Sequence, residues 1–302
     1  MQSSAQAAVY ASFVADSLAL GVHWMYDTAQ IDQHVGRVTD LLSPLEGSYH
    51  PTKKRGDLTH YGDQTLHLLQ YLAGHGGRFS LASYAAEWQG LWHEYKGYVD
   101  RATRVTLQNL EAGTPPENSG SPSTDLGGGA RIAPLLYCYR QDLEGLLAAV
   151  HDQTSLTHNS PSALAAADFL ARSCFAILHG SPPRQAFLQT LENGVGDLDL
   201  DLRLRRCLDL PETDIRSVIK DFGQMCSVSA ALPGAIYTVL QNENNLEEAL
   251  IETAMAGGDS AARGMVVGMI LGALIGMEKI PARWLKNLVS YQEIQTALDN
   301  LA

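Results

Sequence analysis

The side chains that could do chemistry sit in short polar stretches, most of them at the mouth of an apolar helical run. Nearest the C-terminus, Gly257 and Gly258 form a turn ahead of Asp259 and Ser260. Glycine serves where the backbone takes unusual dihedrals or lets another group come close. Asp259 or Ser260 can then cap the helix that follows. A carboxylate and a hydroxyl are thereby fixed at the end of a rigid element, although taken alone a helix cap accounts for both. Tyr61-Gly62-Asp63-Gln64-Thr65 repeats the arrangement ahead of Leu66, Leu68, Leu69 and Leu72. Asp63, Gln64 and Thr65 can all be cap and first-turn residues there.

Three further stretches keep them company. Asp125-Leu126 leads into Gly127, Gly128 and Gly129, followed by Arg131. Three successive glycines suggest a turn whose N–H groups face a ligand or a helix terminus. No Gly-Lys-Ser/Thr closes the run, so it does not match the phosphate-loop pattern. Thr157-His158-Asn159-Ser160-Pro161 reads as a helix start, with Ser160 as cap and Pro161 in the first helical position. His158 beside that cap can meet a ligand or bond a nearby carbonyl. Asp16 stands in the apolar segment Ala15-Asp16-Ser17-Leu18-Ala19, where a polar neighbour or solvent would also explain it.

The elements that must position these groups are helical. Apolar residues at helical spacing follow a cap at Ser3 or Ser4, and residues 43–56 read as a turn-rich basic loop. Helical patterns are expected over residues 81–110 (one or two helices), 135–150, 154–180, 214–225, 230–240, 246–256 and 263–277. Residues 113–123 read as a loop, 195–206 as a charged surface segment, and Pro281 opens a last helix or turn. Gly264, Gly268, Gly272 and Gly276 are four apart and share a helix face. Such a stripe costs about 1 kcal/mol per glycine relative to alanine, and its return is close contact with neighbouring helices. No alternating strand pattern, repeat or linker interrupts the chain. The expected fold is all-α, one compact orthogonal bundle over residues 1–302 as a single domain.

Composition narrows the function classes. The 302 residues carry a formal net charge of −12, which argues against a nucleic-acid surface. A small anionic ligand stays compatible with that sign. The uncharged run between Arg263 and Glu278 is shorter than the roughly 20 residues a bilayer needs. Cys138, Cys174, Cys207 and Cys226 lack metal-ligand spacing and read as free buried thiols in a reducing compartment. The first residues lack a basic leader pattern, so a cytoplasmic location without a membrane partner is expected.

Taken together, the stretches resemble the ADP-ribosylglycohydrolase family. Ala15-Asp16-Ser17-Leu18-Ala19 is similar to its Gly-Asp-Ala-Leu-Gly segment. Tyr61-Gly62-Asp63-Gln64-Thr65 stands where it has aromatic-Thr-Asp-Asp-Thr, and Asp125 to Pro134 resembles its Gly-Asn-Gly-x-x-Met-Arg-x-x-Pro. Thr157-His158, Leu232-Pro233-Gly234-Ala235 and Gly257-Gly258-Asp259-Ser260 resemble its Thr-His, Leu-Pro-x-Ala and Gly-Gly-Asp-Thr-Asp-Thr. Six pieces in order cover most of the chain. The resemblance implies an all-α fold with two Mg²⁺ ions that hold the ribose of ADP-ribose while an N- or O-glycosidic bond is hydrolysed. It also implies ADP-ribosyl or nucleotide-like partners, free or on a modified protein.

This chain departs from the family at the metal motifs. Gly62 and Gln64 replace a Thr and an Asp, and Ala261 and Ala262 replace an Asp and a Thr. Asp63, Thr65, Asp259 and Ser260 are the positions that still match ligands. Two carboxylates under-neutralise two Mg²⁺, so one weakly bound ion at most, or none, is expected. His23-Trp24 stands where the family often has an acid, and Asp125 is an acid the family lacks, a candidate replacement ligand. The substitutions resemble the branch that contains jellyfish crystallins and their selenoprotein relatives. The expected function is hydrolysis of a riboside, with Asp63 and Asp259 on a metal or as acid and base. Asp16, Gly127, Gly128, Gly129, Arg131 and His158 are the expected substrate contacts. A non-catalytic nucleotide binder and a structural, crystallin-like protein are the alternatives. The basic run Lys53-Lys54-Arg55 reads as solvated surface, or as a partner for pyrophosphate near Asp63.

Overall fold

The computed structural model describes all of residues 1–302. Its architecture is all-α, with two isolated bridges, Ser121 to His158 and Asp125 to Ser227, in place of any sheet. Helix α1 (Gln2–Ala19) starts at Met1 without a side-chain cap, so neither Ser3 nor Ser4 caps it. Asp27 caps α2 (Thr28–His34). Helix α3 (His60–Gly74) is capped by Thr59, whose hydroxyl accepts from Tyr61 N, and Asp63 falls in its first turn. Residues 81–110 form two helices, α4 (Leu81–Leu91) and α5 (Arg101–Glu111), the second capped by Asp100. A short α6 (Pro116–Ser119) interrupts the expected loop. The glycines build α7 (Gly127–Ala130), ahead of α8 (Ala133–Cys138).

Thr157 closes α9 (Leu143–Thr157) rather than lying inside a helix that begins at 154. Ser160 accepts from Ala163 N at 3.2 Å and Pro161 opens α10 (Pro161–Leu178), as the sequence pattern predicts. Helix α11 (Pro183–Glu192) follows. The charged segment is also a helix, α12 (Leu198–Leu208). It buries Leu200 and Leu204 and pairs Asp199 with Arg203 and Asp201 with Arg205 one turn apart, each at 2.8 Å. Then come α13 (Ile215–Phe222), α14 (Val228–Gln241), α15 (Leu246–Met255) and α16 (Ser260–Ile275). The chain ends with α17 (Ala282–Asn287) and α18 (Tyr291–Asp299).

The glycine stripe explains the centre of the bundle. Helix α16 is packed along α1, and its glycines face the small residues of that helix. A Cβ on Gly268 would run into the carbonyl oxygen of Ala11, and one on Gly272 into that of Ala7. Gly264 sits more loosely, its nearest neighbour Ala15 O at 3.5 Å from a built Cβ. Gly276 belongs to another role, since its φ of +81° ends the helix. Backbones that approach this closely gain dispersion and weak Cα–H···O contacts, and both helices are buried along nearly their whole length. By length and hydropathy α1 and α10 could each cross a bilayer, but 94% and 61% of those stretches are buried within the bundle. The start of α16 is thereby held rigidly against the end of α1, where the polar stretches meet.

Candidate functional site

Asp259 is fully buried and caps α16, its Oδ1 accepting from Ala262 N at 3.3 Å. Gly257 and Gly258 make that placement possible. Both have φ near +65°, and a Cβ would strike Met25 O at Gly257 and Gln224 O at Gly258. Asp259 N then donates to Gln224 O at 2.8 Å, while Trp24 N donates to Gly258 O at 2.8 Å. The second oxygen of Asp259 accepts from Tyr61 Oη at 2.8 Å and from Trp24 Nε1 at 3.4 Å.

Tyr61 links Asp259 to the acid at the glycine motif. Its hydroxyl lies 3.3 Å from both carboxylate oxygens of Asp125. Asp125, Asp259 and Cys226 each bring a polar atom within 4.8 Å of the others. Asp125 is positioned by the backbone bonds Leu126 N to Cys226 O and Val228 N to Thr124 O, and its Oδ1 accepts from Gly127 N at 2.7 Å. Burial, reinforced by the charge of Asp259, pushes Asp125 up to about 8. Burial also raises Asp259, but Tyr61, the Ala262 amide and the Arg263 guanidinium pull it back. Two crowded carboxylates resist ionising together, and the donors around Asp259 favour the proton on Asp125. One Tyr61 hydrogen cannot serve three oxygens. A protonated Asp125 that donates to Tyr61 Oη, while Tyr61 donates to Asp259, satisfies all of them.

Asp63 belongs to a different group. Its Oδ2 accepts from Lys53 Nζ and from Tyr95 Oη, each at 2.5 Å. Burial raises the Asp63 pKa while Lys53 lowers it. Lys53 is therefore a half-buried partner, not solvated surface as its basic run suggests; its side chain is 15% exposed. Asp16 sits behind Asp63, fully buried, accepting from Thr59 N at 2.7 Å and Thr59 Oγ1 at 2.5 Å. It completes the cap of α3 from outside the helix, and burial pushes it up to about 7. Gly62 is what lets it fit, because a Cβ there would overlap the Asp16 carboxylate. Thr65 Oγ1 donates to Tyr61 O at 2.8 Å within the helix. Ser260 N donates to Gly258 O, and the Ser260 hydroxyl is buried without a partner.

Gln64, Arg131, Thr157 and His158 form a third chain. Gln64 Oε1 accepts from Arg131 and from Trp88 Nε1 at 3.1 Å. Arg131 also donates to Thr157 Oγ1 at 2.5 Å, and that hydroxyl meets His158 Nδ1 at 2.8 Å. Both Arg131 and His158 are buried, and burial pushes His158 well below its usual range. The glycines serve packing: Gly127 lies against the Tyr61 ring and Gly128 against His158 and Thr154. The sequence motifs thus place Asp259 beside Asp125, not beside Asp63 through any hydrogen bond. Lys53 lies in the basic run visible in the sequence, whereas the pairing of Tyr95 with Asp63 and of Cys226 with the two other acids emerges only from three-dimensional placement.

The family's two magnesium ions fit this donor set poorly. The Asp63 carboxylate already faces an ammonium, and Gln64 is neutral and held by Arg131. Ala261 and Ala262 offer no side-chain oxygen. The pair that remains, Asp125 and Asp259, has a thiol as its third neighbour, a soft ligand that magnesium does not favour.

The helical architecture matches known proteins. The profile of the ADP-ribosylglycohydrolase family matches residues 1–302. The chain belongs to this family. Among its relatives, Crystallin J1A of Tripedalia cystophora is 24% identical over 322 residues, covering 99% of this chain and 96% of its own. ADP-ribosylhydrolase ARH3 of Gallus gallus is 29% identical over 61% of this chain, which spans 58% of that protein. ADP-ribosylarginine hydrolase Tri1 of Serratia proteamaculans (strain 568) is 27% identical over 62% of this chain, which spans 48% of it. A solved structure described as an ADP-ribosylglycohydrolase-related protein complex superposes with a TM-score of 0.79 at 23% identity. It covers 99% of this chain and 97% of that one, and shows the shared fold.

Proposed function

We propose that this chain hydrolyses an N- or O-glycosidic bond to ADP-ribose or a related riboside. The Asp125–Tyr61–Asp259 triad takes over from a dinuclear magnesium centre. The observation that carries the reading is the Tyr61 hydroxyl bridging the buried carboxylates of Asp125 and Asp259. Burial and the neighbouring Asp259 raise Asp125 to about 8, on the less buried side of the pair, while Asp259, also raised by burial, accepts from Tyr61, Trp24 and the Ala262 amide. Cleavage of a riboside needs an acid for the leaving group and a negative charge near the oxocarbenium-like centre. Asp125 supplies the first and Asp259 the second. After departure of the leaving group, ionised Asp125 takes a proton from the attacking water. Placement of a fixed charge in a buried site makes its interaction with developing charge stronger than in water.

Asp63 enters this reading as the partner of Lys53, and at most one weakly held magnesium is compatible with the remaining carboxylates. The reaction is tested by release of ADP-ribose from ADP-ribosylated arginine, serine and acetyl substrates, with and without Mg²⁺. Turnover that does not rise with Mg²⁺ supports the reading. No turnover on any of them would overturn it.

One observation favours a second reading. The crystallin relative aligns over nearly the full chain, whereas the hydrolase relatives align over about 60%. A non-catalytic ADP-ribose binder predicts calorimetric binding of ADP-ribose with no product from any riboside. A purely structural protein predicts neither.

A further inference from the structure

Three histidines converge beside the triad, among them the His23 that stands where the family often has an acid. His23 follows the 3₁₀ turn at Leu20–Val22, His50 lies in the loop before α3, and His60 opens α3. All three are buried, at 3%, 0% and 0% exposure. One nitrogen from each lies within 4.8 Å of the others. Both nitrogens of His50, both of His60 and Nε2 of His23 have no hydrogen-bond partner. An unpaired buried polar atom is costly, so five of them in one place call for something that satisfies them.

A metal ion fits the spacing. The ring centres are 5.5 Å (His23–His50), 5.7 Å (His50–His60) and 6.3 Å (His23–His60) apart. The point equidistant from those three centres lies about 3.4 Å from each. A zinc–nitrogen bond of about 2.0 Å, plus about 1.1 Å from nitrogen to ring centre, puts an ion about 3.1 Å from each. The ring centres are therefore spaced within a few tenths of an ångström of what that distance requires. The protonation states also suit a ligand set. Burial pushes His23 and His50 down to about 3 and His60 well below its usual range, so each ring is neutral. Asp100 Oδ2 stands 3.5 Å from His60 Nε2, not hydrogen-bonded to it but close enough that a small shift would orient the ring and leave His60 Nδ1 for the metal.

The surroundings are built rather than incidental. Trp24 has a φ of +65°, a conformation that a tryptophan seldom adopts and that neighbouring structure must impose. It carries the indole over all three rings, at 4.3, 5.5 and 5.4 Å between centres. A cavity of about 540 Å³, lined in part by His23, Trp24 and Tyr49, opens beside the cluster on the His23 side. Coordination through His23 Nε2 moves its proton to Nδ1 and gives up one long contact, Ala261 N to Nδ1 at 3.3 Å.

From this geometry we infer that His23, His50 and His60 form a mononuclear site for a divalent transition ion of the zinc type. Neutral imidazoles suit such ions and not magnesium, which wants oxygen. The inference does not rest on the hydrolase reading, because it concerns other side chains and is read without substrate.

The test is titration of the full chain with Co²⁺, followed by visible absorption, and competition by Zn²⁺. One equivalent should bind with the intense visible bands of four-coordinate cobalt, without sulfur-to-cobalt charge transfer in the near ultraviolet. Zn²⁺ should displace it and raise the thermal midpoint, since a ligand that binds only the folded state stabilises it. In His50→Gln affinity should fall at least tenfold, while Asp63→Asn and Cys226→Ser should bind as the parent does. Absence of binding at micromolar Co²⁺ overturns the inference. A thiolate charge-transfer band, or cobalt binding that survives in folded His50→Gln, overturns it as well. Because the spectrum of the parent protein alone reports the donor atoms, the test stands even if a variant fails to fold.

Discussion

Asp125→Asn separates the chemistry from the fold at the scale of one residue. The amide keeps the shape but cannot deliver a proton, so hydrolysis should fall by about 10²–10⁴-fold, the usual contribution of a positioned acid. The same change should stabilise the protein, and more so at alkaline pH. A carboxyl whose folded pKa is raised to about 8 binds its proton more tightly when folded. Its contribution is greatest below the unfolded value and is lost as pH rises toward 8. The gain in melting temperature from Asp125→Asn should therefore be larger at pH 8.5 than at pH 5; an equal or reversed difference would contradict the placement of the proton. Lys53→Met asks a different question. It leaves Asp63 half-buried beside Tyr95 without its cation and should cost about 2 kcal/mol, most of it recovered in the Lys53→Met/Asp63→Asn double variant. Urea unfolding of the cycle measures this, and an additive result would mean the pair contributes nothing. The sequence makes Asp259 and Asp63 visible as helix-start carboxylates. It does not reveal that Lys53 occupies the position opposite Asp63, because a basic run in a turn-rich loop looks the same whether it is solvated or folded inward.

At the scale of elements, the contact of α1 with α16 was the most legible feature of the chain. Glycines four residues apart predict a face that meets another backbone, and three of the four do so against Ala7, Ala11 and Ala15. The fourth, Gly276, is a helix end, a role that spacing alone cannot distinguish from packing. The contacts predict a graded series. Gly268→Ala and Gly272→Ala force a methyl into a carbonyl oxygen and should each cost about 1–3 kcal/mol, as overpacked sites do. Gly264→Ala meets its nearest atom at 3.5 Å and should be neutral or stabilising, since alanine is the better helix former. Denaturant unfolding of the three variants checks the order, and equal losses at all three would contradict the packing. Helix boundaries were less legible. The charged segment before Cys207 forms α12 through i,i+4 ion pairs over a narrow leucine stripe, which composition alone reads as surface.

At the scale of the whole molecule, the buried titratable groups define how stability responds to pH. His23, His50, His60 and His158 are all neutral in the fold, so stability falls as pH drops below about 6.5, where the unfolded chain takes up their protons. Asp16 and Asp125 act in the opposite direction, with folded values near 7 and 8. Between pH 6.5 and 8.5 the histidines no longer contribute, and the melting temperature should decline as the two carboxyls ionise. A flat or rising profile there would contradict their burial. The family and its all-α architecture were readable from six ordered motifs, most of them at helix ends that the packing brings together. The division of labour among the carboxylates was not, because Tyr61 joins Asp125 to Asp259 across 64 and 198 residues of chain. The most direct test of that division is the pH dependence of ADP-ribose release by the parent protein and by Asp125→Asn, with Mg²⁺ varied. The account predicts turnover by the parent that falls as pH rises past about 8, no gain from Mg²⁺, and a loss of at least a hundredfold in the variant. Full turnover by Asp125→Asn, or a rate that climbs in proportion to Mg²⁺, would contradict it.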